Sequence, residues 1–161
     1  MLASGENSAK VEAPQSIIQA HVDDKGRLKV PKAIQKYLSD LEDDKFFVTS
    51  LDLRIIRLYP MSVWKENMEL LEKATDAAED AEDIAFIAKD LGQDCEPDSQ
   101  GRLLLPAELR RMLGLENQPV WLDCYKGRIN VYGKEIYEER RKRALDHLSD
   151  KLQRLERKGL R

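Results

Sequence analysis

Apolar and polar residues follow one arrangement along this chain, and the arrangement occurs twice. Short stretches of alternating apolar and polar residues predict strands, and apolar pairs four residues apart predict a short helix in each half. The helical pairs are Ile34 with Leu38 and Leu109 with Leu113, each behind a proline that suits a first helical turn. The strand pairs that follow are 46–49 with 54–59, and 120–123 with 128–132. Each half thus reads strand, turn, strand, helix, strand, turn, strand, which predicts a mixed β fold with short helices.

A nine-residue motif marks the first turn of each half. Asp-x-x-Gly-Arg-Leu-x-aliphatic-Pro occurs at 23–31 and again at 98–106, an offset of 75 residues. Glycine suits a turn position with positive φ, and the aspartate can accept backbone N–H groups and pair with the arginine across the turn. We assign this structural role to Asp23, Gly26, Asp98, Gly101 and Arg102. A unit of about 45 residues is marginal alone, so two tandem units sharing one core are expected.

The strand inside each motif separates inward from outward side chains, because side chains alternate between the two faces of a strand. If Leu28 faces the core, Arg27 and Lys29 face outward. In the second motif the outward residues are Arg102 and Leu104. We expect the first copy to form a nucleic-acid face, and the outward leucine of the second to be covered by another subunit or by the connector. The candidate DNA-binding residues are Lys25, Arg27, Lys29 and Lys32.

Charge is unevenly distributed along the chain, whose formal net charge is −3. The Ala-rich segment 72–98 carries ten acidic residues against two lysines and is typical of a helical connector with a solvated face rather than of an acidic binding site. The segment 138–161 carries nine basic residues against five acidic ones, and the first motif is also basic. A dipolar chain of this kind can bind a polyanion with one face although its net charge is acidic.

These patterns divide the chain into five parts. They are a disordered tail 1–16, a first repeat 17–64, an acidic helical connector 65–94, a second repeat 95–138 and a long, charged C-terminal helix 139–161. An apolar stripe on the last helix consists of Leu145, Leu148, Leu152 and Leu155. Either the helix packs on its own domain or on a neighbouring subunit, or the basic residues 140–143 contact phosphate.

Residues with catalytic or metal-binding chemistry are sparse. His21 and His147 each stand alone, and Cys95 and Cys124 lack the spacing of metal ligands. No paired-carboxylate, nucleophile–base or glycine-rich phosphate pattern occurs. We expect no enzymatic activity, no catalytic or metal site, no cofactor and no small-molecule substrate.

The chain also lacks an apolar run of roughly 18 residues and a signal-type N-terminus, so we expect a cytoplasmic protein with reduced thiols and no membrane contact.

The doubled motif resembles the MraZ family of bacterial transcriptional regulators. In each copy a strand pair ends in an aromatic residue and leads into a helix that bears Trp64 or Tyr137. The segments 58–64 and 101–110 resemble the family closely, and the resemblance covers about 17–139. It implies two tandem SpoVT-AbrB repeats, which are AbrB-like units with swapped hairpins.

The resemblance also implies a function. Members are cytoplasmic, nucleoid-associated proteins whose ring-shaped homo-oligomers bind short direct repeats of double-stranded DNA in the promoter of the division and cell-wall gene cluster. The basic strand implicated in that contact corresponds to Lys25, Arg27 and Lys29. One departure is Gln35, which stands where the second copy has Arg110, so a basic position is missing from the first copy.

A protein-interaction module is the alternative from a different class. AbrB-like hairpins also occur in antitoxins, in which a tail binds a toxin, and the charged C-terminal helix would be that segment here. Two repeats in one chain argue against this alternative, because such antitoxins usually carry one hairpin and a disordered tail. Salt dependence separates the two, since a regulator with several phosphate contacts loses DNA affinity steeply as salt rises.

Overall fold

The computed structural model describes residues 11–43 and 45–161, and within them the chain forms eight strands and six helices. The strands are β1 (Ile18–Val22), β2 (Arg27–Lys29), β3 (Phe46–Thr49), β4 (Ile56–Pro60), β5 (Gln93–Cys95), β6 (Arg102–Leu104), β7 (Gln118–Tyr125) and β8 (Arg128–Gly133). The helices are α1 (Lys32–Asp40), α2 (Met61–Lys73), α3 (Ala78–Leu91), α4 (Ala107–Met112), α5 (Lys134–Leu145) and α6 (Leu148–Glu156). Of the predicted tail 1–16, residues 1–10 lie outside the described residues, and 11–16 form neither helix nor strand.

The strands form one antiparallel sheet in the order β5-β3-β4-β8-β7-β1-β2-β6. Its two edge strands, β5 and β6, lie close together. Gln93 Nε2 and Cys95 Sγ of β5 both donate to the carbonyl oxygen of Leu104 in β6, at 3.5 and 3.6 Å. The sheet is therefore curved into a nearly closed barrel, which leaves little of either edge open. The predicted β architecture with short helices is confirmed.

The two repeats exchange hairpins. The β3–β4 hairpin of the first repeat pairs with β5 of the second, and the β7–β8 hairpin of the second pairs with β1 of the first. Corresponding strands also pair directly, β2 with β6 and β4 with β8, so the repeats are related by an approximate two-fold axis. Neither repeat completes a sheet without strands of the other.

Side chains from both repeats fill one core. Leu28 on β2 lies opposite Leu103 on β6, and they are 1% and 0% exposed. Ile34 of α1 and Leu109 of α4 extend the same cluster and are buried, as their helical spacing predicts. Each such side chain contributes roughly 1.5–3 kcal/mol when it is removed from water. The expected shared core is confirmed, and it explains why two units that are marginal alone fold together.

Aromatic stacking holds one helix of each repeat on the outer side of the sheet. Trp64 of α2 stacks on Phe47 with ring centroids 4.6 Å apart, and its ring lies 5.1 Å from that of Tyr59. Tyr137 of α5 stacks on Trp121 of β7 at 4.3 Å. Such pairs add roughly 0.5–1.5 kcal/mol beyond the burial of their area. Consequently α2 and α5 occupy equivalent places in the two repeats.

The structure divides both predicted helical segments in two. The predicted connector 65–94 holds the remainder of α2, all of α3 and the start of β5, and α2 and α3 pack against each other. The C-terminal segment 139–161 holds the end of α5 and all of α6. At the breaks, Ala77 and His147 have φ values of 56° and 52°, a left-handed conformation that a continuous helix does not contain. The helical spacing of apolar residues continues across each break and therefore conceals it. Folding back lets α3 bury Ala81 and Ala88, which a straight connector would expose.

Candidate nucleic-acid interface

The Asp-x-x-Gly-Arg turn of the first repeat is closed by its own aspartate. Asp23 Oδ1 accepts the backbone N–H groups of Lys25 and Arg27 at 3.0 and 2.9 Å, and Oδ2 accepts Arg27 Nε at 2.8 Å. Gly26 has a φ of 82°, a left-handed conformation that glycine adopts without strain. The ion pair uses only Nε of the guanidinium, so the terminal amino groups of Arg27 can bind another acceptor.

The second repeat builds the same turn with nearly the same distances. Asp98 Oδ1 accepts the backbone N–H groups of Gln100 and Arg102, both at 2.9 Å, and Oδ2 accepts Arg102 Nε at 2.8 Å. Gly101 has a φ of 73°. Both motifs therefore orient an arginine by the same aspartate contact, each at the start of its strand.

The two turns are joined through the central strand pair. The backbone N–H of Val30 donates to the carbonyl oxygen of Gly101 at 3.3 Å, and that of Leu105 donates to Gly26 at 3.0 Å. These bonds continue the β2–β6 ladder into each turn. As a result the two motifs, 75 residues apart in sequence, form one continuous two-stranded element.

The departure at position 35 has a structural explanation. Gln35 Nε2 donates to the carbonyl oxygen of Val30 at 2.7 Å, and Arg110 Nη1 donates to the corresponding carbonyl of Leu105 at 3.0 Å. Arg110 Nε also donates to Glu116 at 3.0 Å. Glutamine thus makes the same strand-end contact without a charge. Arg110 is committed to contacts inside the fold, so its absence from the first repeat removes no outward cation.

Hydrogen bonding lowers the pKa of both motif aspartates below the ordinary value of 3.8. The largest cause in each turn is the backbone N–H of the arginine, and the arginine side chain acts in the same direction. A carboxyl group whose pKa is lowered by folding stabilises the fold above its unfolded pKa. That stabilisation is lost as the pH falls through the folded-state pKa.

We expect the double variant Asp23→Asn, Asp98→Asn to lose less stability in acid than the wild type. Asparagine keeps an oxygen for the backbone N–H groups but has no charge to titrate. Urea unfolding between about pH 2 and pH 6 measures the effect. The wild-type free energy of unfolding should fall more steeply below about pH 4 than that of the variant, and Asp24→Asn should follow the wild type. If the free energy of unfolding fell equally steeply in acid for the wild type and the double variant, the pH dependence could not be assigned to these two aspartates.

The outer face of β1, β2 and β6 carries cationic side chains from both repeats. The strand register places Lys29 opposite His21 on one side and opposite Arg102 on the other. Arg27 lies opposite Leu104 in the neighbouring row. These five residues define what we call the β1-β2-β6 face. A shallow depression of about 430 Å³ in it is lined by His21, Asp23, Arg27, Lys29, Gln100 and Arg102.

The four candidate DNA-binding residues lie on or beside this face. Arg27 and Lys29 are outward, as the strand phase predicts, and Lys25 is exposed in the turn between β1 and β2. Lys32 is exposed at the start of α1 and does not line the depression. Leu104 is 48% exposed, so neither the connector nor any other described part of the chain covers it fully.

Sequence reasoning gave Arg102 only a structural role. The structure places it opposite Lys29, with Gln100 at the rim of the same depression. The near-identity of the two motifs was a signal that both could contribute, but the register that brings them together depends on the direct pairing of β2 with β6. The geometry favours a face shared by both repeats over one formed by the first repeat alone.

The charge arrangement on this face is unfavourable for the isolated protein. Like charges directly opposite each other on neighbouring strands destabilise a sheet, by up to about 1 kcal/mol, and Lys29 and Arg102 are such a pair. Arg27 and Arg102 are each paired with an aspartate of their own turn, whereas Lys29 takes part in no ion pair among the described residues. An anion bound in the depression would relieve the repulsion.

Other chemistry has little support in the described residues. Cys95 and Cys124 are free thiols, and burial raises the pKa of both, that of Cys124 to about 11, so neither is a reactive thiolate at neutral pH. Within 11–43 and 45–161, no cluster of three or more His, Cys, Asp or Glu residues is placed to hold a metal ion. None of the described helices has the length and apolar character needed to cross a membrane.

Comparison with known proteins identifies the family. Residues 92–157 match the family described as "MraZ protein, putative antitoxin-like". The "Transcriptional regulator MraZ" of Marinomonas sp. (strain MWYL1) is 31% identical over 136 residues, which cover 84% of this chain and 87% of that protein. The proteins of the same name from Acidobacterium capsulatum and Koribacter versatilis are 33% and 32% identical, over 73% and 60% of this chain and 74% and 67% of their own. The resemblance of the doubled motif is thereby confirmed, and the chain belongs to the MraZ family of transcriptional regulators.

Proposed function

We propose that this protein regulates transcription by binding double-stranded DNA through the β1-β2-β6 face. The observation that carries the proposal is the row in which Lys29 of the first repeat lies opposite Arg102 of the second. Lys25 and Lys32 add exposed cations beside that row. Phosphate contacts of this kind supply most of the affinity of DNA-binding proteins and are independent of sequence.

The two motif arginines are suited to a more specific role. Arg27 and Arg102 are each held through Nε by an aspartate, so less side-chain freedom is lost when they bind. Their terminal amino groups can form paired hydrogen bonds with a phosphate or with the major-groove edge of guanine. The approximate two-fold relation of the repeats would present both arginines to one stretch of DNA.

Assembly of several copies would strengthen such contacts. In the proposed complex a ring-shaped homo-oligomer binds short direct repeats in the promoter of the division and cell-wall gene cluster, at the nucleoid in the cytoplasm. Repeated weak contacts then act together, because binding of one subunit raises the effective concentration of the next. Once such an assembly has formed, four leucines that are about half exposed in the single chain can add contacts to a neighbouring subunit, namely Leu145, Leu148, Leu152 and Leu155.

Footprinting on the DNA upstream of the protein's own gene tests this function. We expect protection at evenly spaced short sites, and we expect Arg27→Ala to require at least about tenfold more protein for the same protection. Arg154→Ala, which removes an exposed arginine of α6, is the matched control and should protect like the wild type. Absence of protection by the wild type, or equal protection by Arg27→Ala, would contradict the proposal.

An antitoxin-type partner binder is the second candidate. The matched family description includes the term "antitoxin-like", and the match extends through α6, whose leucines are exposed. In this alternative α6 binds a protein partner and the β1-β2-β6 face has little DNA affinity at any salt concentration. Steep loss of DNA affinity between about 50 and 200 mM salt favours the regulator.

A further inference from the structure

An exposed aromatic residue lies at the centre of an acidic helix face. Phe86 of α3 is 66% exposed, although large aromatic side chains are usually well buried. Glu82 and Asp90 lie four residues before and after it and Asp83 lies three before, which places all three beside the ring. Glu79 is one further turn away on the same side. We call Phe86 and these four carboxylates the Phe86 face; Lys89, three residues after the ring, is an exposed cation beside it, and no described part of the chain covers the face.

A cleft elsewhere in the molecule has the complementary chemistry. It has a volume of about 590 Å³ and is formed by α5, the ends of β7 and β8 and the loop before β4. Five arginines line it against three carboxylates, and one of these carboxylates, Glu139, is already bound to Arg54 at 2.8 Å. Burial raises the pKa of Asp123 in this cleft, and the nearby Arg128 and Arg140 oppose that effect.

The cleft also offers apolar contact area. Tyr125 and Ile17 at its edge are 46% and 49% exposed. Lys126 Nζ and the Arg128 guanidinium carbon lie 5.1 and 5.3 Å from the centre of the Tyr125 ring, so cations and an aromatic surface are already combined. A phenylalanine surrounded by carboxylates would meet aromatic, aliphatic and cationic partners in this one site.

The two surfaces do not meet within one chain. The described residues that line the cleft come from 17, 52–55, 123–132 and 136–144, and none comes from α3. Two Phe86 faces cannot pair with each other favourably either, because that would bring carboxylates against carboxylates. The charge pattern therefore favours contact between the Phe86 face of one copy and the arginine-lined cleft of another copy.

We infer that the Phe86 face of one subunit docks into the arginine-lined cleft of a second copy of this chain. The inference rests on the proposed self-assembly and names its contact surfaces. Since each copy carries both surfaces, the contact is head-to-tail, which closes into a ring when the rotation per subunit allows it. Arginine–carboxylate pairs around a buried aromatic anchor are typical of strong interface contacts.

Complementation between two variants tests the docking. Phe86→Glu removes the anchor, and Arg140→Glu with Arg143→Glu reverses two cleft charges, all at exposed positions. Each variant alone should be monomeric by analytical ultracentrifugation, whereas the wild type forms larger assemblies. An equal mixture should form a heterodimer of twice the 18.6 kDa chain mass and nothing larger, because only one intact pair of surfaces remains. Formation of that heterodimer also proves that both variants are folded.

Matched controls separate this contact from other effects. Arg154→Glu with Arg157→Glu has the same three-residue spacing outside the cleft, and Met112→Glu adds a charge at another exposed apolar position; both should assemble like the wild type. A monomeric wild type, an unchanged Phe86→Glu assembly, a mixture that stays monomeric, or equal dissociation of the controls would overturn the inference. So would loss of DNA affinity per subunit in the Arg140→Glu, Arg143→Glu variant with assembly intact, which would assign these arginines to phosphate.

Failure of the docking and failure of the proposed function give different results. Monomeric variants should still bind a duplex with a single repeat as well as a wild-type subunit does, because the β1-β2-β6 face is unchanged. If the docking is wrong, the variants and their mixture do not show the assembly states predicted above, but the wild type still binds promoter DNA. If the proposed function is wrong, the wild type and its heterodimers assemble as expected but bind no promoter DNA.

Discussion

Gly26→Ala should lower the free energy of unfolding by about 2–3 kcal/mol, a large fraction of the stability of a domain of this size. Gly26 has a φ of 82°, and a left-handed backbone conformation costs an alanine about 1 kcal/mol. The added Cβ would also overlap the Arg110 side chain, which lies over the turn from the other repeat. Urea unfolding of the purified variant measures the sum of both effects.

Two further variants separate conformational strain from overlap. Gly114 has a φ of 63°, but no heavy atom lies within 4 Å of the position that an added Cβ would occupy, so Gly114→Ala should cost only about 1 kcal/mol. Combining Gly26→Ala with Arg110→Ala should cost less than the sum of the two single variants, because the overlapping side chain has been removed. The close contact between the repeats would be contradicted if Gly26→Ala cost no more than Gly114→Ala.

Charge reversal on the β1-β2-β6 face should have the largest effect on DNA binding. We expect Lys29→Glu and Arg102→Glu each to weaken affinity for the promoter fragment by at least about tenfold, and the double variant by about a hundredfold or more. Lys65→Glu, an exposed lysine of α2, is the matched control and should bind like the wild type. Fluorescence anisotropy with a labelled promoter duplex measures the affinities of the wild type and of these four variants.

The pattern across the single variants distinguishes two arrangements. If both repeats contribute, Lys29→Glu and Arg102→Glu lose comparable affinity. A loss confined to Lys29→Glu would restore the first repeat as the only DNA-facing copy, and a loss confined to Arg102→Glu would contradict a role for the first repeat at this position.

Lys29→Glu should also gain about 0.2–1 kcal/mol of folding stability, because it replaces a like-charge pair by an opposite-charge pair. Weakened binding by a more stable protein cannot result from unfolding.

The local features of the fold could be predicted from the sequence because they depend on neighbouring residues. The alternation around Leu28 and Leu103 reveals which side chains are buried, and the Asp-x-x-Gly-Arg spacing reveals a turn closed by aspartate. The helical pairs Ile34 with Leu38 and Leu109 with Leu113 likewise depend only on spacing.

Features that depend on pairing between distant segments could not be predicted from these patterns. Hairpin exchange places β3 beside β5 and β7 beside β1, and nothing in the alternation specifies the partner of a strand. The position of Arg102 opposite Lys29 follows from the direct pairing of β2 with β6, which the alternation does not specify either. The helix breaks were concealed for another reason: Ala77 and His147 adopt left-handed conformations that are usually marked by glycine or asparagine.

In the candidate site, too, some features could be predicted from neighbouring residues and others depend on pairing between distant segments. Outward Arg27 and Lys29 follow from strand phase, whereas the contribution of the second repeat requires the register of β2 and β6. The role of Arg110 inside the fold depends on a carbonyl group five residues away and on Glu116, contacts that the basic character of the residue does not reveal. Counting cations along the sequence therefore does not reveal that Arg102 lies opposite Lys29, or that Arg110 is committed to contacts inside the fold.

The salt dependence of promoter binding tests most directly whether the β1-β2-β6 face contacts DNA phosphate. Affinities of the wild type, Lys29→Ala and Lys65→Ala would be measured from about 50 to 200 mM salt. We predict a steep linear fall of log affinity with log salt for the wild type and for Lys65→Ala, and a slope that is shallower by about 0.9 per bound subunit for Lys29→Ala. Identical slopes and affinities for Lys29→Ala and the wild type would contradict the account.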